Sequence, residues 1–220
     1  MSIRRAWGTT RPGRGYSWAV VREREKWMST DGSAELRTDR LLMRPWTAAD
    51  LAPFSEMNAD PRVMEFFPTP LDRISSDAMA ARIMARMEQR GWGLWALEVT
   101  ATGAFIGFTG LADVSFEAHF TPATELAWRL ARHAWGHGYV SEAAIAARDY
   151  AFDTLDRDEV VAFTAVDNIR SRAVMERIGM SRDEDDDFDH PLLPIGHRLR
   201  RHVLYRAHRP TESREQSTND

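Results

Sequence analysis

Two glycines flank a histidine directly before a predicted helix, and residues of these types in this order are suited to binding an anion. Residues 129–152 read RLARHAWGHGYVSEAAIAARDYAF, in which Gly136 and Gly138 precede an alanine-rich, helix-favouring segment. A helix N-terminus presents unpaired N–H groups and the positive end of its dipole, and glycine lets the backbone approach a phosphate closely. The spacing is neither that of a Walker loop nor that of a Rossmann fingerprint. Taken alone, the Gly-His-Gly segment is better explained as a plain turn.

A second segment of chemical interest is acidic and contains a histidine. Residues 183–194 read DEDDDFDHPLLP, and a run of carboxylates of this kind is commonly a solvated loop. A calcium site is disfavoured because the glycine and the terminal glutamate of an EF-hand loop are missing, and we expect no metal. Phe188, Asp189 and His190 stand together before a proline. Because histidine titrates near neutral pH, His190 is suited to accepting a proton from a substrate.

The elements that must position these residues alternate between strand and helix patterns, which predicts one mixed α/β domain. Residues 100–103 contain a glycine and join two strand-like runs as a hairpin. Thr47 is expected to cap the first helix, Ser75 or Ser76 the second, and Asn168 the last. The strand-like runs are 34–46, 91–100, 103–114, 121–131, 158–166, the region after Met180, and 199–207. The helical runs begin near 47, 75, 139 and 168.

Composition and charge limit the class of protein. The 220 residues are 43% hydrophobic and 28% charged, and they include no cysteine. No apolar run is long enough to cross a membrane, so we expect a cytoplasmic globular protein without disulfides, thiol nucleophiles or a membrane partner. Residues 1–33 hold seven basic and three acidic residues, which leaves 22 basic and 30 acidic residues in the remainder. This acidic balance argues against a nucleic-acid partner.

The two ends of the chain are expected to lie outside the folded domain. Residues 1–33 show no convincing periodicity, and Met28 stands shortly before the first good strand. We therefore expect a flexible basic arm or a start codon assigned too early. Residues 211–220 are polar and are expected to be a disordered tail, which leaves 34–210 as the domain.

The order of the elements and their motifs resemble the GCN5-related N-acetyltransferases (the GNAT family), in the RimJ/RimL-type branch. The segment W-G-H-G-Y-V is similar to the pyrophosphate loop of that family, Q/R-x-x-G-x-G/A, with Trp135 and Val140 as the two departures. N-I-R-S-R-A-V-M-E-R-I-G-M follows after a short strand, and LRTDRLLMRPWTAADL at the front extends the resemblance to residues 35–207. The resemblance implies a central mixed, twisted sheet of about seven strands flanked by about four helices, with splayed fourth and fifth strands.

Acetyl-CoA is the co-substrate that the resemblance implies, lying between the splayed strands. Its pantetheine arm would pair with the fourth strand, its pyrophosphate would meet amides at the start of the following helix, and its sulfur would lie near a second segment. Asn168 in that second segment can equally be a helix N-cap. The expected cofactor-binding residues are Trp128, Leu130, Trp135, Gly136, His137, Gly138, Tyr139, Val140, Ser141, Asn168, Ser171 and Arg172.

The implied reaction is direct attack of a neutral amine on the thioester, which requires a base, oxyanion donors and an acid for the thiolate. No covalent nucleophile is needed, in agreement with the missing cysteine. Many members carry tyrosine at the position of Met175, and methionine cannot donate a proton. Ser171, one turn earlier, is therefore the first candidate acid, and Tyr205 is the second. Backbone amides near Leu130 are candidates for the oxyanion.

Two residues compete for the role of general base. His190 is the first candidate, with Asp189 either orienting it or holding the cationic acceptor. Glu125 on the fourth strand is the second. Phe66 and Phe67, beside two prolines in the loop after the first helix, are expected to form a wall of the acceptor pocket, although core packing explains them equally well.

The partners follow from the same resemblance. They are acetyl-CoA and an amine acceptor, either a protein N-terminus or a small amine, and a homodimer is left open. An alternative function is a non-catalytic acyl-CoA-binding sensor. The sequence feature that favours a sensor is Met175, and Ser171 with the Asp189–His190 pair counts against it.

Overall fold

The structure of the protein, a computed structural model, describes residues 34–210. The predictions made for residues 1–33 and 211–220 lie outside the described residues. In residues 34–210 a mixed sheet of nine strands is flanked by four α-helices. The prediction of a single α/β domain with about four helices is therefore confirmed, and the sheet has two strands more than the seven expected.

The helices of the described part are α1 (Leu51–Ala59), α2 (Arg73–Arg90), α3 (Tyr139–Asp153) and α4 (Ile169–Arg177). The strands are β1 (Leu36–Arg37), β2 (Leu41–Arg44), β3 (Leu94–Val99), β4 (Ala104–Asp113), β5 (Thr124–Leu130), β6 (Glu159–Ala165), β7 (Ser181–Arg182), β8 (Phe188–Asp189) and β9 (Arg201–His208). Single turns of 3₁₀-helix span Ala48–Asp50, Arg132–Ala134 and Glu184–Asp186. Strands β1, β7 and β8 have two residues each. β1 lies within the expected run 34–46 and β7 in the region after Met180, whereas β8 was not expected, because two residues are too few to give a periodic sequence pattern.

The strands follow the order β1-β2-β3-β4-β5-β6-β9-β7, and β8 pairs with β9. Every neighbouring pair is antiparallel except β5 and β6, which run parallel. The β5–β6 ladder consists of one residue pair, Glu125 with Val161. Beyond that pair the two strands separate, so the C-terminal half of β5 has no strand on that side among residues 34–210. The splay expected between the family's fourth and fifth strands is thus found between β5 and β6.

The two faces of the sheet carry different helices. Trp95 on β3 meets Tyr150 of α3 edge to face, with 5.4 Å between ring centroids. On the opposite face, Arg129 of β5 donates a hydrogen bond to Asn58 of α1. Because side chains alternate along a strand, Glu125 and Arg129 lie on the α1–α2 face, whereas Trp128 lies on the α3 face with Trp95.

The cap of α2 differs from the prediction. Asp72, not Ser75 or Ser76, is the capping residue, and its carboxylate accepts a hydrogen bond from the Ser75 amide at 2.7 Å. The helix therefore starts at Arg73, where an ion pair with Asp77 one turn later adds to the first turn. Asp72, Ser75 and Ser76 are all residues that can cap a helix. Asp72 is the cap because its carboxylate reaches the amide of Ser75, the third residue of the helix.

Candidate active site

The Gly-His-Gly segment adopts a conformation that glycine favours and leaves room above its backbone. Gly136 and Gly138 both have a φ of 79°, in the left-handed region, and Gly138 is the N-cap of α3. A Cβ built on Gly136 would meet no atom within 4 Å, and one on Gly138 would meet only a nitrogen of Arg40 at 3.5 Å. Packing therefore does not require these glycines. The first amides of α3, which have no acceptor within the helix, adjoin this open space.

Arg40 supports this loop from the far edge of the sheet. Its Nη1 donates to the carbonyl oxygen of His137 at 2.9 Å, and its guanidinium pairs with Glu142 in the first turn of α3 at 2.6 Å. Glu142 also accepts a hydrogen bond from Thr38. The start of α3 is thus held to the β1–β2 turn by a group of polar residues. Sequence reasoning did not single out Arg40 or Glu142, because their contact joins positions about a hundred residues apart.

The free edge of β5 carries an internal hydrogen bond from the same loop. The indole Nε1 of Trp135 donates to the carbonyl oxygen of Leu130 at 2.9 Å. The guanidinium of Arg170, at the start of α4, lies over the Trp135 ring at 4.8 Å. The amide of Ala131 bonds to Ile106 of β4, so in this antiparallel ladder the backbone groups of Trp128 and Leu130, the residues expected to bind pantetheine, face the gap between β5 and β6. An exposed strand edge is suited to pairing with an amide-bearing arm.

The start of α4 brings together the expected second CoA-binding segment. Asn168 caps the helix: its side chain accepts from the Ser171 amide at 3.3 Å and donates to Thr164 of β6 at 2.8 Å. Arg172 donates from Nη1 to the carbonyl oxygen of Val166, and its Nε is buried without a partner in residues 34–210. The Ser171 hydroxyl makes no hydrogen bond with the described residues. Asn168 therefore has a structural task, and Ser171 and Arg172 keep donors available.

Met175 and Tyr205 lie deeper on the α4 face of the sheet. Met175 is 1% exposed and is part of the core. The Tyr205 hydroxyl donates to Glu176 of α4 at 2.8 Å, and desolvation raises the pKa of this tyrosine. Tyr205 is 3% exposed, so its contacts are those of a strand residue that holds a helix. Of the two candidate acids, Ser171 is the more accessible.

Glu125 occupies the vertex of the splay. It forms the single β5–β6 pair with Val161, and it lies on the α1–α2 face. Burial raises the pKa of its carboxyl to about 7. Its side chain retains partial contact with solvent although protein surrounds it on most sides, as expected at the bottom of a narrow cleft. A carboxyl group in such a position ionises near neutral pH and can accept a proton there.

His190 lies on the β6–β9 side of the same face, inside an aromatic cluster. Its ring is 4.6 Å from that of Phe116 and 5.0 Å from that of His202, measured between centroids. Burial, followed by the charge of Arg200, lowers the pKa of His190. Its Nδ1 lies 3.3 Å from the amide nitrogen of Leu192, which donates to it.

Asp189 contacts two arginines and does not orient the His190 ring. Its carboxylate contacts Arg200 at 3.1 Å and Arg201 at 3.7 Å. No hydrogen bond joins Asp189 to the His190 ring in the described part of the chain. The preceding acidic residues are also engaged with arginines: Arg182 pairs with Asp187, and Arg206 pairs with Asp186. The acidic segment is in this respect a set of ion pairs along the β7–β9 edge.

The two phenylalanines after α1 lie over arginines. The Phe67 ring is 3.9 Å from the guanidinium carbon of Arg129, and the Phe66 ring is 5.6 Å from that of Arg170. Glu65 in the same loop pairs with Arg170 at 2.7 Å. The loop between α1 and α2 therefore reaches from β5 to the start of α4, across the gap between the splayed strands.

A cavity of about 250 Å³ opens on the α2 side near Glu125. It is lined by Ala112, which is the cross-strand neighbour of Glu125, so their Cβ atoms are about 5 Å apart. The wall also includes Trp92 and the ion pair between Arg90 and Asp113, 2.7 Å apart. Sequence reasoning missed this cavity because α2 and the end of β4 form it together.

Two further properties concern the described residues. In residues 34–210, no group of three or more histidine, cysteine, aspartate or glutamate side chains is arranged to hold a metal ion. None of the helices in that part of the chain combines the length and the apolar character needed to cross a bilayer.

Comparison with known proteins identifies the family. Residues 40–181 match the family model described as acetyltransferase (GNAT) domain. The Bacillus subtilis protein YkkB, itself uncharacterized, is 30% identical over 151 residues, which cover 68% of this chain and 87% of YkkB. The FsC-acetyl coenzyme A-N(2)-transacetylase of Aspergillus fumigatus is 29% identical over 164 residues, 71% of this chain and 69% of that protein. An acetyltransferase structure from Agrobacterium tumefaciens is similar with a TM-score of 0.63 and 32% identity, covering 80% of this chain and 94% of the other.

The chain therefore belongs to the GNAT acetyltransferases, and it is an enzyme of that family. This confirms the family that the W-G-H-G-Y-V loop and the N-I-R-S-R motif indicated. GNAT acetyltransferases use acetyl-CoA, and the open glycine loop and the part of β5 that has no strand partner on this side within residues 34–210 fit such a co-substrate. The alternative of a non-catalytic sensor has no support.

Proposed function

We propose that the enzyme transfers the acetyl group of acetyl-CoA to a primary amine by direct attack in a ternary complex, with Glu125 as the general base. The observation that carries this proposal is the position of Glu125 at the vertex of the splay, with its pKa raised to about 7. A base whose pKa lies near the working pH is both partly ionised and able to accept a proton. His190, the first candidate from the sequence, has a lowered pKa and is therefore the weaker base.

The co-substrate is proposed to lie between β5 and β6. Its pyrophosphate would meet the amides from Gly136 to Ser141, and its pantetheine arm would pair with β5 at Trp128 and Leu130. The open space above the two glycines and the lack of a strand partner for this part of β5 in residues 34–210 support this placement. Ser171 and Arg172 would then face the pantetheine arm and the sulfur.

The proposed reaction assigns one proton transfer to each of two side chains. The amine nitrogen bonds to the thioester carbonyl carbon, and the carbon–sulfur bond breaks. Glu125 accepts the proton that the amine loses, and Ser171 donates a proton to the departing thiolate. Proton exchange with solvent then returns Glu125 and Ser171 to their starting states. Backbone amides near Leu130 would stabilise the charge on the carbonyl oxygen. No covalent intermediate with the enzyme is required.

The acceptor is proposed to approach on the α1–α2 face, where Glu125, the cavity beside Ala112 and the loop carrying Phe66 and Phe67 are found. Both a small amine and a protein N-terminus are compatible with this approach. Assignment to the RimJ/RimL-type branch, the domain limits 34–210, a cytoplasmic location and a homodimer remain predictions from the sequence.

The decisive experiment measures release of the CoA thiol from acetyl-CoA with a panel of amines and of peptides with free N-termini. We expect turnover with at least one acceptor class, and a drop of about 10²-fold or more in kcat for Glu125→Gln. Ser171→Ala should lower kcat without a matching loss of acetyl-CoA binding. Binding of acetyl-CoA without thiol release for any amine would overturn the proposed function. Full activity of folded Glu125→Gln would overturn the choice of base.

A further inference from the structure

Arg129 is the most buried arginine of residues 34–210, and it has no carboxylate partner in that part of the chain. Its exposed fraction is 7%, and it is the one arginine there that is more than nine-tenths buried. Desolvation lowers the pKa of its guanidinium to about 10, so the group remains charged at neutral pH. Burying an unpaired charge is costly. Arg44, which is less buried, is paired with both Asp50 and Glu98. The contrast suggests that the counter-ion of Arg129 comes from a ligand.

The surroundings hold the guanidinium in place without neutralising it. Nη1 donates to the Asn58 side-chain oxygen at 2.6 Å, and Asn58, which is 0% exposed, donates to Ser76 at 2.9 Å. The Phe67 ring covers the guanidinium at 3.9 Å. The Nε of Arg129 is buried and has no hydrogen-bond acceptor among the described residues. A fixed, charged donor with an unused N–H is suited to binding a carboxylate.

The position of Arg129 connects it with the proposed acceptor site. Arg129 and Glu125 lie on the same face of β5, four residues and therefore about 13 Å apart along the strand. Phe67, which lies on Arg129, belongs to the loop that reaches across the gap between the splayed strands. If the acceptor enters beneath this loop and reaches Glu125, as the proposed function has it, the guanidinium lies along its path.

We propose that Arg129 binds a carboxylate of the acceptor, so that the acceptor is an amine that also carries an acid group several bonds from the reacting nitrogen. This inference rests on the proposed function, because it places the reacting amine at Glu125. It also implies that Arg129 disfavours acceptors that carry several positive charges and no acid. Arg129 is a residue that determines specificity; it takes no part in the proton transfers.

The test compares acceptors that differ only in the acid group. The probes are 4-aminobutanoate, 6-aminohexanoate and 8-aminooctanoate, each paired with its carboxamide, and kcat/KM is measured for each with acetyl-CoA. A charge-assisted hydrogen bond contributes about 1.5–3 kcal/mol, so at least one acid should exceed its amide by about tenfold or more. Equal kcat/KM within all three pairs would overturn the proposal without requiring any variant.

The variants show whether Arg129 is responsible. Arg129→Gln should lower kcat/KM for the preferred acid by about tenfold or more while changing that for its amide much less. Arg82→Gln, at an exposed position of α2, is the matched control and should change neither. An equal loss for acid and amide in folded Arg129→Gln would show that Arg129 supports the fold or the transition state, and would overturn the proposal. If Arg129→Gln does not fold, Arg129→Lys keeps the charge and should preserve most of the preference for the acid, and loss of that preference would count against the proposal.

Equilibrium binding separates this inference from the proposed function. The product analogue 6-acetamidohexanoate and its carboxamide are titrated into the protein with CoA present, and heat is measured. Tighter binding of the acid, lost in Arg129→Gln, would support the anion site even if no amine is turned over. Equal binding of both, together with turnover of other amines, would overturn the anion site and leave the proposed function intact.

Discussion

At the scale of single residues, the two candidate bases, Glu125 at the vertex of the splay and His190 on the β6–β9 side, have pKa shifts of opposite sign. Burial raises the pKa of Glu125 to about 7, because the charged form of a carboxyl is the form that desolvation disfavours. The same effect lowers the pKa of His190, whose charged form is the protonated one. Both residues must lose a proton before they can act as a base. The acidic limb of the rate profile therefore identifies the base by its midpoint.

We expect kcat/KM to rise with pH through a midpoint near 7 and then to level off, because Glu125 must be ionised to accept the proton. Glu125→Gln should remove this limb and reduce the rate, and His190→Gln should retain it. The measurement is a pH–rate profile with a neutral-range buffer series. A midpoint clearly below the ordinary histidine value of about 6.5, abolished in His190→Gln, would assign the base to His190 instead.

Glycine at position 138 is expected to matter for acetyl-CoA binding beyond its effect on stability. Gly138 and Gly103 both have left-handed backbone, with φ values of 79° and 68°, and neither has an atom closer than 3.5 Å to an added Cβ. Gly138→Ala and Gly103→Ala should therefore lose a similar stability, about 1 kcal/mol each. Acetyl-CoA affinity, measured by calorimetry, should fall in Gly138→Ala and stay unchanged in Gly103→Ala. Equal affinities in the two variants would contradict the phosphate-binding role of the loop.

At the scale of elements, polar contacts at strand and helix ends set the geometry of the cleft. Arg44 at the end of β2 binds Asp50, in the 3₁₀ turn before α1, and Glu98 on β3, each at 2.7 Å. Burial alone would raise the pKa of Asp50, but hydrogen bonds from Arg44 and Thr47 lower it. The start of α1 is thus fixed relative to the sheet. Because α1 carries Asn58, the same contact helps to position Arg129.

Replacing Arg44 should destabilise the protein strongly, because it would leave Asp50, which is 2% exposed, as an unpaired buried charge. We expect Arg44→Leu to lower the free energy of unfolding by about 3 kcal/mol at neutral pH, measured by urea titration. Arg73→Leu breaks an exposed ion pair within α2 and should cost less than about 1 kcal/mol. Similar small losses in both variants would show that the Arg44 network is not coupled to stability.

Helix caps and hairpins could be predicted from the sequence only where their signals are local and unambiguous. The hairpin at residues 100–103 and the cap at Asn168 were predictable, because each depends on residues close together in the chain. The cap of α2 was assigned wrongly, because Asp72, Ser75 and Ser76 have the same capping chemistry. The raised pKa of Glu125 and the unpaired charge of Arg129 depend on burial, which distant elements create together. The site was therefore predictable where it follows a motif, and unpredictable where it depends on packing.

At the scale of the whole molecule, one buried histidine is expected to influence acid stability. His202 on β9 is 9% exposed, and burial lowers its pKa to about 4. The pKa of His202 in the folded state lies below its unfolded value of about 6.5. Neutral His202 therefore contributes fully to the free energy of unfolding above pH 6.5, and this contribution is lost as the pH falls through about 4.

We therefore expect the free energy of unfolding to decrease between about pH 6.5 and pH 4, by up to a few kcal/mol from this residue. His202→Gln should make the decrease shallower, and the exposed His133→Gln should leave it unchanged. Urea titrations at a series of pH values provide the measurement. A pH dependence identical in wild type and His202→Gln would mean that other groups cause the acid sensitivity.

The single residue pair between β5 and β6 has a mechanical consequence for the whole molecule. Within the described residues, the strands β1 to β5 and the strands β6 to β9 form two groups that are joined by one residue pair of the sheet. Hydrogen exchange of the backbone amides should accordingly show two different free energies of opening, one for each group of strands. A substrate that pairs with the free edge of β5 would make the contact between β5 and β6 more rigid. At a concentration one hundred times its dissociation constant, it would raise the free energy of unfolding by about 2.7 kcal/mol. The less stable group of strands should gain more protection from amide hydrogen exchange. Acetyl-CoA would then stabilise the contact between the two groups of strands as well as react.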